Sequence, residues 1–384
     1  MPVSAPSKAR LTLVVATALA CVAQRTAWAG GGAATDAYDG VRERAPVDVH
    51  ALADLYFQLK EPRGGGPQLR AFDDRADVPA VNLLRVTLAH RPDWLGFRVD
   101  VGVGDMPDQF RASDPANTRY PELSRGLSYA EQAFVSAALP VGRGLAVDAG
   151  KFGTPVGLED NETPQNWNYS RSLLYTFAEP TYHTGLRATY DLARDLAVSA
   201  FWLNGWNTNV AEGNGMRSFA VAATWDADAS TQVVVDYAGG LERAPTQLSD
   251  PRLSYRHELD VYAVIFVRTW LSFAATVDYG HDARDDGASW WGVGGYMRCR
   301  FLPWLAGVVR AEHLHDADGF TTGTAQRLAE ATLTAEATTQ AGPVKLIGRL
   351  EYRRDQSDEP IFQGAGARPF THQDTSTLGV MALF

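Results

Sequence analysis

The chain has 384 residues, 45% of them hydrophobic and 21% charged, and its acids outnumber its bases to give a net charge of −10. That balance argues against a nucleic-acid surface. Length alone suggests two domains, a prior that β-barrels routinely exceed.

The N-terminus addresses the chain before any fold is considered. Lys8 and Arg10 precede an apolar run from Leu11 to Val22, and Ala27-Trp28-Ala29 places small residues at both positions of an A-x-A cleavage site. This pattern predicts a secretory signal peptide over residues 1–29. The run is too short for a membrane helix, which needs about twenty apolar residues, and no such run follows Gly30. Cys21 follows Leu19-Ala20 as in a lipoprotein site, but Ala18 stands where that site has Leu. Without the signal, Lys8, Arg10 and Arg25 are lost and 32 bases face 45 acids, a charge of −13. Cys299 is then the one remaining cysteine, so no internal disulfide can form. Residues 30–50 are small, polar and charged and read as a flexible periplasmic lead-in to a barrel over 51–384.

From Ala51 onward the chain reads as amphipathic strands of period two. Leu95, Phe97, Val99, Val101 and Val103 alternate with Gly96, Arg98, Asp100, Gly102 and Gly104, and Val344, Leu346, Leu350 and Tyr352 oppose Lys345, Arg349, Glu351 and Arg353. Sixteen such segments are predicted near 52–60, 80–90, 95–104, 127–139, 144–153, 182–192, 195–204 and 215–226. The other eight lie near 230–240, 255–268, 270–280, 288–300, 303–315, 325–340, 342–354 and 372–384. A soluble sandwich would also alternate. Connection length discriminates: short turns such as Val141-Gly142-Arg143 and Ala193-Arg194 alternate strictly with long loops such as 105–126 and 154–181. That is the asymmetry of a membrane barrel, with short periplasmic turns and long extracellular loops. The fold class is therefore all-β, a transmembrane antiparallel up-and-down β-barrel of about sixteen strands, range 14–18. An even count puts both termini at the periplasmic rim.

Aromatic residues near strand ends, Tyr190, Trp225, Trp270, Trp304 and Tyr352 with Tyr237 and Tyr279 opposite, fit interfacial girdles. Two segments fit poorly. Asp148 and Lys151 have opposite parity, which calls for a bulge near Gly150, and Arg310 and Glu312 share a face with Val308 and Leu314. The last strand ends on Phe384, resembling the C-terminal signature that the barrel-assembly machinery recognises in outer-membrane barrels.

The longest internal connection carries Gly150-Lys151-Phe152, Gly157-Leu158-Glu159, Asn166 with Ser170-Arg171-Ser172, and Pro180 with His183-Thr184-Gly185. In this order the motifs resemble the "putative β-barrel porin 2 (OmpL-like)" family of bacterial outer-membrane proteins. The resemblance implies an outer-membrane pore and no particular solute. A loop of this length, rich in Asn, Trp, Tyr and Phe, is expected to fold. It either bends into the lumen as a constriction, with Glu159, Asp160 and Glu162 facing Arg171 or Arg187, or packs over the mouth with Glu159 and Arg171 as a structural ion pair.

The polar parity should line the lumen with Arg85, Arg98, Asp100, Gln132, His183, Arg187, Asp236, Arg256, Glu258, Asp260, Asp278, Arg298, Arg300, Glu330, Glu336, Lys345, Arg349, Glu351 and Arg353. Mixed signs leave ion preference open. Ser170, His183 and Asp148 could be drawn as a triad, but no G-x-S-x-G is present. His313 and His315 with Asp316 and Asp318, or His281-Asp282 with Asp285-Asp286, could hold a metal but match no Zn²⁺ or Ca²⁺ spacing. Cys299 has the apolar parity of Met297 and Val293, so it is expected to face lipid. No cofactor, metal or catalytic residue is expected. The function read from the sequence is passive diffusion of small hydrophilic solutes or ions through a water-filled porin channel. The alternatives are a barrel whose outer loops serve adhesion or ligand binding and, behind that, an outer-membrane hydrolase. Expected partners are outer-membrane lipid, the solutes and the assembly machinery, with a homo-oligomer left open.

Overall fold

The computed structural model describes residues 47–91, 94–114, 120–210, 216–243, 253–284, 286–366 and 368–384. The signal segment, residues 30–46 of the lead-in and Asp285 lie outside the described residues.

Sixteen strands form the wall. They are β1 (Asp48–Glu61), β2 (Pro79–His90), β3 (Leu95–Val103), β4 (Ala130–Leu139), β5 (Leu145–Gly153), β6 (Tyr182–Asp191), β7 (Leu196–Leu203) and β8 (Ser218–Asp228). The second half comprises β9 (Thr231–Arg243), β10 (Leu253–Arg268), β11 (Leu271–Asp282), β12 (Ala288–Leu302), β13 (Leu305–Asp316), β14 (Gln326–Ala341), β15 (Val344–Ser357) and β16 (His372–Leu383). Every expected strand has its counterpart within four residues at either end; β1 starts at Asp48, inside the expected lead-in.

Each strand pairs antiparallel with the next, and β16 returns to β1 to close the barrel. That seam runs from Leu52 opposite Leu383 to Glu61 opposite Asp374. Beyond it, the Ala51 and Phe384 amides donate to each other's carbonyls at 2.9 Å. Closure leaves no unpaired edge, the condition for strands to cross lipid.

The alternation behaves as the pleat requires. On β15 Leu350 and Tyr352 are exposed while Arg349, Glu351 and Arg353 are buried, and on β16 Leu378 and Val380 point outward against Thr375, Thr377 and Met381. Exposed Trp225, Trp270, Phe301, Trp304 and Phe384 gather near the short-turn rim, and Trp202, Phe219, Tyr279 and Trp291 toward the other. Cys299 is half-buried on the outward parity of Val293 and Met297.

Both anomalous segments resolve within the inner face. The β4–β5 and β5–β6 registers run through Gly150 without a shift, so no bulge is present. Instead Gly150 has φ +141°, and Asp148, Lys151 and Phe152 are all buried. A Cβ at Gly150 would stand 2.2 Å from the Ala133 carbonyl oxygen, so only glycine fits. On β13, Val308, Arg310, Glu312 and Leu314 are all buried, because protein rather than water covers this part of the inner wall.

That protein comes from the long connections. The long connection over 105–126 contains α1 (Asp105–Ser113) and α2 (Pro121–Ser128). Pro121 opens α2, where a missing N–H is tolerated. Met106 and Phe110 of α1 pack with Phe72, Tyr169, Tyr175 and Met381 in one interior cluster. The connection 154–181 carries a 3-10 turn (Thr163–Gln165) and a short helix, α3 (Leu173–Phe177), whose N-cap Ser172 accepts from the Tyr175 amide at 2.9 Å.

Candidate functional site: the pore and its inward loop

The connection 154–181 lies across the inside of the barrel, its main chain fastened to polar side chains of the wall. Glu351 on β15 accepts from the amides of Tyr169 (2.7 Å) and Ser170 (3.0 Å), and Glu312 on β13 from that of Leu173 (2.8 Å). Arg349 donates to the carbonyls of Thr163 (2.8 Å), Asn166 (2.5 Å) and Asn168 (2.7 Å), and Arg353 to that of Arg171 (2.5 Å). These charged groups satisfy a backbone that has no ladder partner of its own. Apolar contacts complete the fit, with Leu158 and Trp167 packed against Val234, Tyr262, Val264 and Tyr296.

On the other side of β16 the same loop meets β1–β3. Arg85 pairs with Glu162 at 2.5 Å and with Glu131 at 3.4 Å, while Arg98 pairs with Asp100 at 2.9 Å and Glu162 at 3.4 Å. Asp54 accepts from Asn82 (2.6 Å), Thr163 (2.5 Å) and Tyr169 (2.8 Å). Within the loop, burial and then neighbouring Glu162 push Asp160 up to about 6. Burial would raise Glu162 also, but Arg85 and Arg98 outweigh it and bring that carboxyl to about 2.

Two sequence-derived pairings are corrected. Arg171 neither faces Glu159 across an opening nor pairs with it. Its guanidinium donates to the carbonyls of Asp160 (3.0 Å), Tyr169 (2.9 Å) and Asn161 (2.6 Å) and stacks on Phe72 and Tyr175, so it staples the loop to itself. Glu159 instead takes Arg310 of β13 at 2.8 Å, Tyr296 at 3.2 Å and the Ser172 amide at 2.7 Å. Arg187 is bound to Asp148 at 2.7 Å. The parity rule could have yielded Asp54, on the polar face of β1 with Gln58 and Lys60. Glu131 was hidden by a register shift opposite Asp100 and Val101, which leaves it buried while the adjacent Gln132 still reaches Asp100.

The remaining inward charges divide by position. Arg256 pairs with Asp282 at 3.2 Å. Asp236, Glu258, Asp260 and Asp278 form a buried acidic band on β9–β11, where Asp260 lies opposite both Asp236 and Asp278. Arg298, Arg300, Lys345 and Arg349 gather toward the short-turn rim. Most of these groups are withdrawn from solvent by the inward loops, where the parity argument had placed them in open water.

The triad drawn from the sequence is not assembled. Ser170 is held by Arg310, His183 by the Gly205 carbonyl (3.1 Å) and Thr154 (3.3 Å), and Asp148 by Arg187. Asp316 accepts from the Phe320, Thr321 and Thr322 amides, and His315 accepts from Trp291 at 3.1 Å. Among the described residues no group of three or more His, Cys, Asp or Glu side chains is arranged to hold a metal ion.

The architecture is shared with OmpT of Vibrio cholerae (10% identity, TM-score 0.56, covering 88% of this chain and 97% of that one). It is also similar to the outer membrane channel DcaP of Acinetobacter baumannii (12%, 0.55, 90% and 99%) and to an anion-selective porin from Comamonas acidovorans (10%, 0.57, 88% and 99%). At these identities the likeness is one of fold. No curated protein matches the sequence. Residues 46–384 match the family described as "Putative beta-barrel porin-2, OmpL-like", and the chain, an outer-membrane β-barrel, belongs to that family.

Proposed function

We propose that the barrel is a passive diffusion pore for small hydrophilic solutes whose bore is set by the inward loop 154–181. The supporting observation is that the loop touches opposite sides of the barrel, through Leu158 and Trp167 in the cluster with Val234 of β9 and Tyr262 of β10, and through Thr163 and Glu162 on Asp54 of β1 and Arg85 of β2. Glu159, Asp160, Glu162 and Arg171 act in the constriction by fixing the loop's shape, and solute passes by size and field without a chemical step.

In the same reading residues 1–29 form a cleaved signal, the seam at Phe384 is the feature presented to the assembly machinery, and the apolar outer face meets lipid. Planar-bilayer recording of the refolded chain tests the proposal. Discrete conductance steps are expected, larger in Glu351→Ala than in the parent. A barrel that folds but conducts nothing defeats the pore, and an unchanged step size in the variant defeats the loop's part in it.

A further inference from the structure

A cavity of about 470 Å³ lies between loop residues Pro164–Trp167 and the short-turn ends of β10–β15. Four cations reach it, Arg298, Arg300, Lys345 and Arg349, against one carboxylate, Glu336. Glu336 is already bracketed by Arg298 at 2.6 Å and Arg349 at 2.8 Å. Four bases against one acid leave this wall formally at +3 in a chain whose net charge is −10. Farther from this rim β9–β11 carry the acids Asp236, Glu258, Asp260 and Asp278 instead, so the charge of this wall changes sign along the lumen. A recess lined by one sign, with low-dielectric walls, concentrates ions of the other.

The rest of the lining decides what kind of anion fits. Phe266 and Ile347 lie on β10 and β15, and Trp167 comes down from the loop, so apolar surface faces the recess beside the cations. Arginine offers a planar fork to a carboxylate, and lysine a point charge on a flexible stem. We propose that this cavity is a vestibule for small organic anions, with a carboxylate against Arg300 and Lys345 and an apolar body against Phe266 and Ile347. The assignment rests on the pore reading for how solute arrives, though not for whether it binds.

Calorimetric titration of the full-length barrel in detergent tests it, with benzoate and its cationic analogue benzylamine as probes. Benzoate should bind saturably and benzylamine should not. The double variant Arg300→Glu, Lys345→Glu should weaken benzoate by about tenfold or more, as expected when charge-assisted contacts are removed. Should that variant fail to fold, Arg300→Gln, Lys345→Gln is titrated in its place and should weaken benzoate by about threefold or more. Absent benzoate binding, equal binding of benzylamine, or unchanged affinity in the variants overturns the proposal. Benzoate binding without bilayer conductance would instead overturn the pore and leave the vestibule standing.

Discussion

Arg310 of β13 donates to Glu159 of the inward loop at 2.8 Å, with both side chains buried inside the barrel. Arg310 also lies 3.2 Å from Glu330 and 3.7 Å from Glu312, so one guanidinium balances three carboxylates. Removing it as Arg310→Ala leaves Glu159 and Glu312 without their cation and Glu330 with Arg353 alone at 3.6 Å, and breaking a buried pair costs about 3–5 kcal/mol. The expected outcome is a barrel that still closes, since the ladder is untouched, but with a released loop and larger single-channel conductance. Unaltered conductance with unaltered stability to urea would show that the pair anchors nothing.

Gly157 has φ +97°, and a Cβ there would fall 1.8 Å from Oε2 of the buried Glu179. Gly157→Ala is therefore strained in backbone and contact alike. It should loosen the loop as Arg310→Ala does, read as faster proteolytic cleavage within 154–181. The double variant Gly157→Ala, Glu179→Ala removes the contact and should recover part of the protection.

Asp160 gives loop docking a pH dependence. Its carboxyl is raised from 3.8 to about 6, so the folded loop prefers it protonated, and stability is lost as pH climbs from about 4 through 6. Glu162, held down at about 2, contributes in the opposite sense: its stabilisation is present above its ordinary value of 4.5 and fades as pH falls toward 2. Above pH 5 the Asp160 contribution is the one that still varies with pH. Conductance should therefore rise with pH around 6 in the parent and stay flat in Asp160→Asn. A parent and variant with the same profile would refute the assignment.

Both carboxylate oxygens of Asp236 and of Glu258 are buried without a hydrogen-bond partner, beside Asp260 and Asp278. Unpartnered carboxyl groups packed side by side in a buried site destabilise the fold. Asp236→Asn and Glu258→Gln should each raise the temperature at which the folded barrel loses its rapid gel migration at pH 8. A fall in both would show that these charges are compensated.

Leu350, 61% exposed midway along β15, points into lipid. Leu350→Arg should destabilise the barrel by about 2–4 kcal/mol in liposome unfolding, the depth-dependent effect of a cation at mid-bilayer. Insensitivity there would mean that water bathes this face.

The wall was legible in the sequence because a strand's period is local and lipid punishes any error in it. Leu95 to Val103 needs no other part of the chain to declare its two faces. The lumen was less legible because its partners are remote: nothing in the spacing of Glu159 and Arg310 links them, and nothing near Arg171 shows that it would turn back on carbonyls ten residues away. The inner face of β13 looked irregular for the same reason, since Val308 and Leu314 face a folded loop that parity cannot reveal. Gly150 misled in another way, since one glycine at φ +141°, with no inserted residue, accompanies the burial of both Asp148 and Lys151.

The closing seam places Leu52 opposite Leu383 and lets Ala51 and Phe384 exchange amide hydrogen bonds. The earliest strand to leave the ribosome therefore waits for the latest before either has its full set of neighbours. Contacts of such long sequence separation form slowly, and until they do all sixteen half-greasy ribbons stay unsealed. Trimming the final strand would leave β15 and β1 with open edges facing each other rather than a smaller sealed cylinder.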